Sequence, residues 1–171
     1  LLLSNDMSEA KRILLVDMDR CTGCKACAAS CSLIKEGLFD LARSRIQIFK
    51  DEARGLAIPI LCEQCIEAPC IDVCPVNAIS RNSETYAVHV DSSICTGCGL
   101  CVKTCAYKGV RVDDKGKIAI ICDLCGGDPI CARVCIPPRA IMYVNFTPEL
   151  FAKKIEYAKK RITALSSIME V

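Results

Sequence analysis

The chain has 171 residues, 52% of them hydrophobic, with 16 cysteines, one histidine, no tryptophan and 5% aromatics. This is globular composition for one domain or two small ones, with sulfur forming part of the core, and it excludes disorder. A net charge of +2, from 22 basic and 20 acidic residues, excludes a field strong enough to draw in nucleic acid or anionic lipid.

Leu1-Leu2-Leu3 is too short for a signal-peptide core and no twin-arginine signal appears, so a cytoplasmic setting is expected. The residues ahead of Met7 are read as lying outside the fold. Leu14-Leu15-Val16 running into Asp17 reads as a short strand ending at a cysteine loop. The first quartet follows: Cys21, Cys24, Cys27 and Cys31, spaced C-x2-C-x2-C-x3-C. Residues 32–61 are expected to form a long loop. The second quartet is Cys62, Cys65, Cys70 and Cys74, widened by the turn at Glu67-Ala68-Pro69 and followed by Pro75-Val76-Asn77-Ala78-Ile79. A turn at Asn82-Ser83-Glu84 leads into a strand, Val88-His89-Val90, that ends in Asp91. The third quartet, Cys95, Cys98, Cys101 and Cys105, repeats the spacing of the first. Lys103, Lys108, Arg111, Lys115 and Lys117 surround it, but Asp113 and Asp114 interrupt them, which favours an ordinary solvated face over a docking patch. The fourth quartet is Cys122, Cys125, Cys131 and Cys135, widened by Gly126-Gly127-Asp128-Pro129.

Thr147-Pro148-Glu149 reads as a helix start: an N-cap, proline at the first turn and an acid beside it. Apolar residues then recur at Phe151, Ile155, Ala158, Ile162, Leu165 and Met169, with Lys153, Lys154, Lys159, Lys160 and Arg161 expected off that seam. Phe151, Ile155, Ile162, Leu165 and Met169 are the docking candidates, in cis, on a partner, or on a second copy of the chain. Every apolar run falls far short of the roughly 18 residues that span a bilayer, so no direct membrane insertion is expected.

All sixteen cysteines fall into the four quartets. A 4Fe-4S cubane presents iron at each corner, and each iron needs one thiolate. Three cysteines at two-residue gaps wrap three corners, and the fourth is expected to start a helix leading to a different cluster. Zinc prefers two separated cysteine pairs, and disulfides would not need four quartets with one order of gaps. Four 4Fe-4S clusters are therefore expected. No nucleotide loop, catalytic triad or carboxylate pair offers catalysis, so the chain is read as a non-catalytic protein.

Quartets one and three, and two and four, resemble each other, so the chain reads as a duplicated half. A two-cluster ferredoxin runs quartet, C-P-x-x-A-I, turn, strand ending in Asp, quartet, and residues 62–105 follow that order. Quartets one and four complete the same order only when joined from the two ends of the chain. The expected fold is α+β: two nested bacterial-ferredoxin-like modules with a C-terminal amphipathic helix. The outer module takes residues 7–56 and 116–146, the inner 57–115, and the docking helix 147–171. Site A takes Cys21, Cys24, Cys27 and Cys135, and site B takes Cys122, Cys125, Cys131 and Cys31. Site C takes Cys62, Cys65, Cys70 and Cys105, and site D takes Cys95, Cys98, Cys101 and Cys74. The competing assignment pairs quartet one with two and three with four.

Over about residues 11–146 the chain resembles the four-cluster ferredoxin-like electron-transfer subunits of multi-subunit oxidoreductases. Three stretches, Arg12-Ile13-Leu14-Leu15-Val16-Asp17, Ala42-Arg43-Ser44-Arg45-Ile46 and Cys122-Asp123-Leu124-Cys125-Gly126-Gly127-Asp128-Pro129, look most like the small subunit of tungsten aldehyde:ferredoxin oxidoreductase-type enzymes, a group that includes the tungsten benzoyl-CoA reductases. Ser32, Ala106 and Ile136 depart from the proline that often follows the last cysteine in ferredoxins. The resemblance implies an anaerobic electron-transfer subunit. It would pass electrons between an external donor or acceptor and a larger catalytic subunit carrying a tungsten or molybdenum pterin. The alternatives are a free polyferredoxin carrier and the iron–sulfur subunit of a hydrogenase, carbon monoxide dehydrogenase or other molybdopterin oxidoreductase complex.

Overall fold

A computed structural model of the chain describes residues 12–113, 117–136 and 139–169. Leu1-Leu2-Leu3, Met7, Asp114, Lys115, Pro137 and Pro138 lie outside the described residues.

The first strand, β1 (Arg12–Val16), is buried from Ile13 onward and pairs antiparallel with β8 (Ile141–Asn145), Arg12 opposite Asn145 and Val16 opposite Ile141. The two ends of the cysteine-bearing body are thus one hairpin-like ladder without a hairpin turn. Helix α1 (Ala26–Glu36) follows, closed by Gly37 in the left-handed conformation with its N–H on the Leu33 carbonyl. A second antiparallel pair, β2 (Gln47–Asp51) and β3 (Leu56–Ile60), comes next. Helix α2 (Pro69–Asp72) leads to β4 (Ile79–Arg81), which pairs with β5 (Val88–Val90). Helix α3 (Leu100–Thr104) leads to β6 (Val110–Val112), paired with β7 (Ala119–Ile121). Helix α4 (Ile130–Val134) packs on α1, and α2 packs on α3, so the helices pair in the same nested order as the strands β1–β8 and β4–β5. The result is a small mixed helix–strand fold with a C-terminal helix, α5 (Pro148–Met169).

The main core mixes aliphatic side chains with thiols. Leu14, Val16, Ile46, Leu61, Ile79, Val88, Val110, Ile121 and Ile141 pack with Cys27, Cys31, Cys62, Cys70, Cys101, Cys122 and Cys131. A smaller core of Met18, Ile58, Ile60 and Leu165 seats α5 on β3.

Three expectations are corrected. Residues 32–61 are not a long loop: α1 continues to Glu36, a 3-10 turn covers Leu41–Arg43, and the β2–β3 hairpin fills the rest. Pro59 sits inside β3, which is possible because a two-stranded sheet leaves one edge of each strand without a partner to donate to. The fourth cysteine does not start a helix. In every quartet the third cysteine is the second residue of a helix, and the fourth lies within or just past it. Third and fourth cysteines are four residues apart on one helical face, about 6 Å along the axis, which is how one turn can serve two sites.

The third correction concerns α5. Thr147 caps it as expected, its hydroxyl accepting the Leu150 N–H at 3.2 Å. Its buried stripe keeps Ala158 and Leu165 of the expected seam but adds Lys154 and Arg161, which were expected off it, in place of Ile155 and Ile162. Lys154 and Arg161 are buried because Glu63 is buried opposite them and pairs with both. Leu165 is committed to the chain's own core, with Ile162 packed beside it, while Phe151 stacks at a tilt on Phe146 and Met169 is exposed. No helix among the described residues is long and apolar enough to cross a membrane.

Candidate iron–sulfur sites

The cysteine loops share one backbone device. The residue two after each quartet's first cysteine has positive φ: Gly23 (68°), Gln64 (50°), Gly97 (66°) and Leu124 (55°). The turn swings the loop's N–H groups toward sulfur. The Gln64 N–H lies 3.4 Å from Cys62 Sγ, and the N–H groups of Gly23 and Leu124 act on Cys21 and Cys122. Gln64 and Leu124 adopt a conformation that costs a non-glycine residue about 1–2 kcal/mol, and such strain clusters at functional sites.

Further N–H donors come from distant elements. Ala119 donates to Cys95 Sγ at 3.4 Å, Ala78 to Cys74 Sγ at 3.2 Å and Arg45 to Cys31 Sγ at 3.3 Å. The stretch that holds Arg45 is braced on both sides. Glu36 of α1 binds Arg43 at 2.7 Å and also pairs with Arg45, and Arg111 of β6 donates to the carbonyls of Ala42 and Ser44. Arg111 therefore braces this stretch and is not part of a loose basic face.

The thiols gather in four groups. Burial raises the Cys21 and Cys27 thiols, Cys27 to about 12, and both feel Cys24 and Cys135 beside them. Burial raises Cys122 to about 12 and Cys131 further, and their near thiols are Cys31 and Cys125. Cys62 is pushed well up by burial, Cys65 is raised by burial and by Cys105, and Cys70 reaches about 11 through burial, Cys105 and Cys65. Cys101 is raised by burial with Cys98 and Cys95 beside it, and Cys74 lines one pocket with Cys95, Cys98 and Cys101. Burial is the largest single influence on Cys74 and pushes it up, but the N–H groups of Val76, Ala78, Ile79 and Asn77 together outweigh it and hold the thiol below the usual range.

The groups are also near one another. Cys131 feels Cys27, Cys62 feels Cys122, and Cys70 feels Cys101. Gln64 spans the middle junction: its amide donates to the Cys122 carbonyl and accepts the Val88 N–H at 2.7 Å. The third cysteine of every quartet is buried, and the exposed ones are Cys24 and Cys98. Among the described residues no three His, Cys, Asp or Glu side chains could hold a single metal ion. Cys74, Cys95, Cys98 and Cys101 stand around a shared space, and thiols with N–H groups aimed at sulfur suit an iron–sulfur cluster.

Four side chains that matter here carry no sequence signal of their own. Glu63, Gln64 and Lys50 look like ordinary polar loop or strand residues, and Arg81 like a strand charge. Lys50 lies over the first loop, its Cε 2.6 Å from where a Cβ on Gly23 would stand, and its charge reaches Cys21. Arg81 donates to the carbonyls of Cys65, Ile66 and Tyr86, tying the second loop to the β4–β5 turn.

The 4Fe-4S dicluster domain matches residues 53–145. The aliphatic sulfonate oxidoreductase, polyferredoxin-like subunit, of Pyrococcus furiosus is 40% identical over 122 residues, covering 71% of this chain and 70% of that protein. The NADH-dependent phenylglyoxylate dehydrogenase subunit beta of Aromatoleum evansii is 34% identical over 144 residues, covering 81% of this chain but 31% of the relative's length. Among solved structures, the active site complex BamBC of benzoyl coenzyme A reductase as isolated aligns at a TM-score of 0.48 and 21% identity, over 79% of this chain and 77% of the matched one. The extent of the domain match, together with 40% identity to a relative of similar length, makes this chain a member of the 4Fe-4S dicluster domain family, with 4Fe-4S as its cofactor.

Proposed function

We infer that the chain is the electron-transfer subunit of an oxidoreductase complex and holds four 4Fe-4S clusters. The observation that carries this is that thiols of different quartets stand near one another: Cys135 by Cys21, Cys31 by Cys122, Cys105 by Cys65, and Cys74 with Cys95, Cys98 and Cys101. Cys21, Cys24, Cys27 and Cys135 form site A, and Cys122, Cys125, Cys131 and Cys31 form site B. Cys62, Cys65, Cys70 and Cys105 form site C, and Cys95, Cys98, Cys101 and Cys74 form site D. When bound, each 4Fe-4S group supplies one-electron redox chemistry. The protein's part is to hold the thiolates, exclude water and supply N–H donors to sulfur, which are the terms that set potential. Cys27 beside Cys131, Cys62 beside Cys122, and Cys70 beside Cys101 support the linear order A, B, C, D. The exposed Cys24 and Cys98 lie at the two ends of that order, where electrons enter and leave.

The outer module joins residues 7–56 to 116–146 around the inner module of 57–115, and β1–β8 with the α1–α4 contact supports that division. The chain makes and breaks no bond of an organic substrate. Its partner is a larger catalytic subunit with a tungsten or molybdenum pterin, and the work is done in the cytoplasm. The naming of relatives as oxidoreductase subunits supports a partnered role. Phe151, Ile155 and Met169 of α5 remain the residues offered to it, Ile162 and Leu165 being taken up by the chain's own core.

Anaerobic purification with iron, acid-labile sulfide and co-purifying metal analysis tests this. About sixteen irons per chain, with a tungsten- or molybdenum-bearing protein retained, is the expected result. A colourless, iron-poor chain overturns it. A loaded chain that elutes alone assigns it instead to free carriers.

A further inference from the structure

Behind the second quartet lies a set of buried charges that no thiol requires. Glu63 stands between Cys62 and Gln64 and is 5% exposed. Its two carboxylate oxygens are taken by two cations of α5: Lys154 Nζ lies 2.6 Å from Oε2, and Arg161 pairs with Oε1. Lys154 and Arg161 are 4% and 2% exposed and sit seven residues apart, two turns along one helical face. Arg161 also donates to the Val16 carbonyl at 2.9 Å. The other ionisable groups facing this set are Asp17 from the end of β1 and Tyr107 from the loop after quartet three. Tyr107 itself feels Cys65 and Cys105.

A buried ion set is a poor device for stability alone, since desolvation offsets most of the attraction. What it does supply is fixed charge beside sulfur. At Cys65, where burial is the largest influence, Glu63 pushes the thiol up and Lys154 pulls it down, so both charges are felt at the ligand. At an effective dielectric of about 20, a unit charge some ~10 Å away shifts an equilibrium by about tenfold. Reduction adds negative charge, so a cation favours the reduced state and an anion opposes it.

The structure assigns to Glu63, Lys154 and Arg161 the setting of the reduction potential at the site of Cys62, Cys65, Cys70 and Cys105, with the cations of α5 holding it up. This rests on the electron-transfer role inferred above. The three residues touch no redox atom and act through their field, so they are positioning residues. The helix that closes the fold thereby also tunes one member of the chain of sites.

The test is a potentiometric titration of the anaerobically purified full chain, followed by electron paramagnetic resonance, with iron content measured on each variant. Lys154→Met is expected to lower the midpoint of one signal, changing its reduced-to-oxidised ratio at fixed poise by about tenfold, which is about 59 mV for one electron. Glu63→Gln is expected to raise the same midpoint, Lys154→Arg to restore it, and the remaining signals to stay in place. Glu63→Gln keeps the side chain's size and one of its two acceptor oxygens while removing the charge, so it is a second, independent perturbation if Lys154→Met does not fold. Iron-replete variants that melt lower with every midpoint unmoved, or with all midpoints moved together, overturn the assignment and leave the electron-transfer role standing. A wild-type chain without iron and sulfide overturns that role itself.

Discussion

Each cysteine loop has a positive-φ residue two after its first cysteine, and at Gly97 the turn also brings the backbone against its neighbour. A Cβ there would run into the Lys117 carbonyl at the foot of β7. Gly97→Ala therefore cannot be absorbed by rotating a side chain, and iron analysis of the variant should show loss of the quartet-three site with the other three filled. Cys135→Ser tests the cross-chain assignment: it should perturb the signal of the first quartet and spare that of the third. Loss of the quartet-three signal instead would reject the nested order. At this scale the sequence was legible where chemistry imposes a residue type. Sixteen thiols at repeated gaps and the glycines between them are such a case. Gln64 and Leu124 were not legible, because a left-handed turn at a non-glycine residue is held by surroundings that no local pattern encodes.

Among elements, α5 shows how a distant partner overrides a local pattern. An apolar seam through Phe151, Ile155, Ala158, Ile162 and Leu165 is the natural reading of its periodicity. The face that packs takes in Lys154 and Arg161 as well, because Glu63, 91 residues before Lys154, is buried against them. Periodicity sees only the helix's own side chains, so the ion pairs, and the burial of those two cations, were invisible. Ala158 and Leu165 belong to both readings. Leu165→Ala, in the small core with Met18, Ile58 and Ile60, should cost about 2–5 kcal/mol in thermal or denaturant unfolding. Iron content should be unchanged, since no thiol touches that core. The β2–β3 hairpin was missed for a related reason. Pro59 and the turn Glu52-Ala53-Arg54-Gly55 read as loop, whereas Ile46, Ile58 and Ile60 are buried by packing the sequence does not display. The strands β1 and β5 were legible because each leads straight into a cysteine loop.

For the whole molecule, thiols stand where a larger protein would place more aliphatic carbon. Burial holds Cys27 and Cys122 up to about 12 and Cys70 to about 11, and an exposed thiol titrates at about 8.5, so iron-free cysteines keep their protons at neutral pH whether buried or not. Iron binds thiolate, so loading must expel those protons. Iron affinity should therefore rise as pH increases toward those values and fall as acid competes for sulfur. Reconstitution in weak buffer should register as acidification, and no proton release on loading would contradict it. Chelation should in turn collapse the far-ultraviolet circular dichroism, because the core loses the groups its cysteines surround.

The ladder that pairs Arg12 with Asn145 has one more consequence, for biogenesis. A chain leaving the ribosome can bring α2 against α3 and close β4 on β5 while its last strand is still unmade. In the proposed assignment the first quartet waits for Cys135 and the fourth for Cys31, contacts of long sequence separation that close late. On that assignment, translation exposes a half-finished metalloprotein whose inner-module sites, C and D, can be filled before the outer-module pair exists, and whatever delivers iron during synthesis meets two substrates in turn.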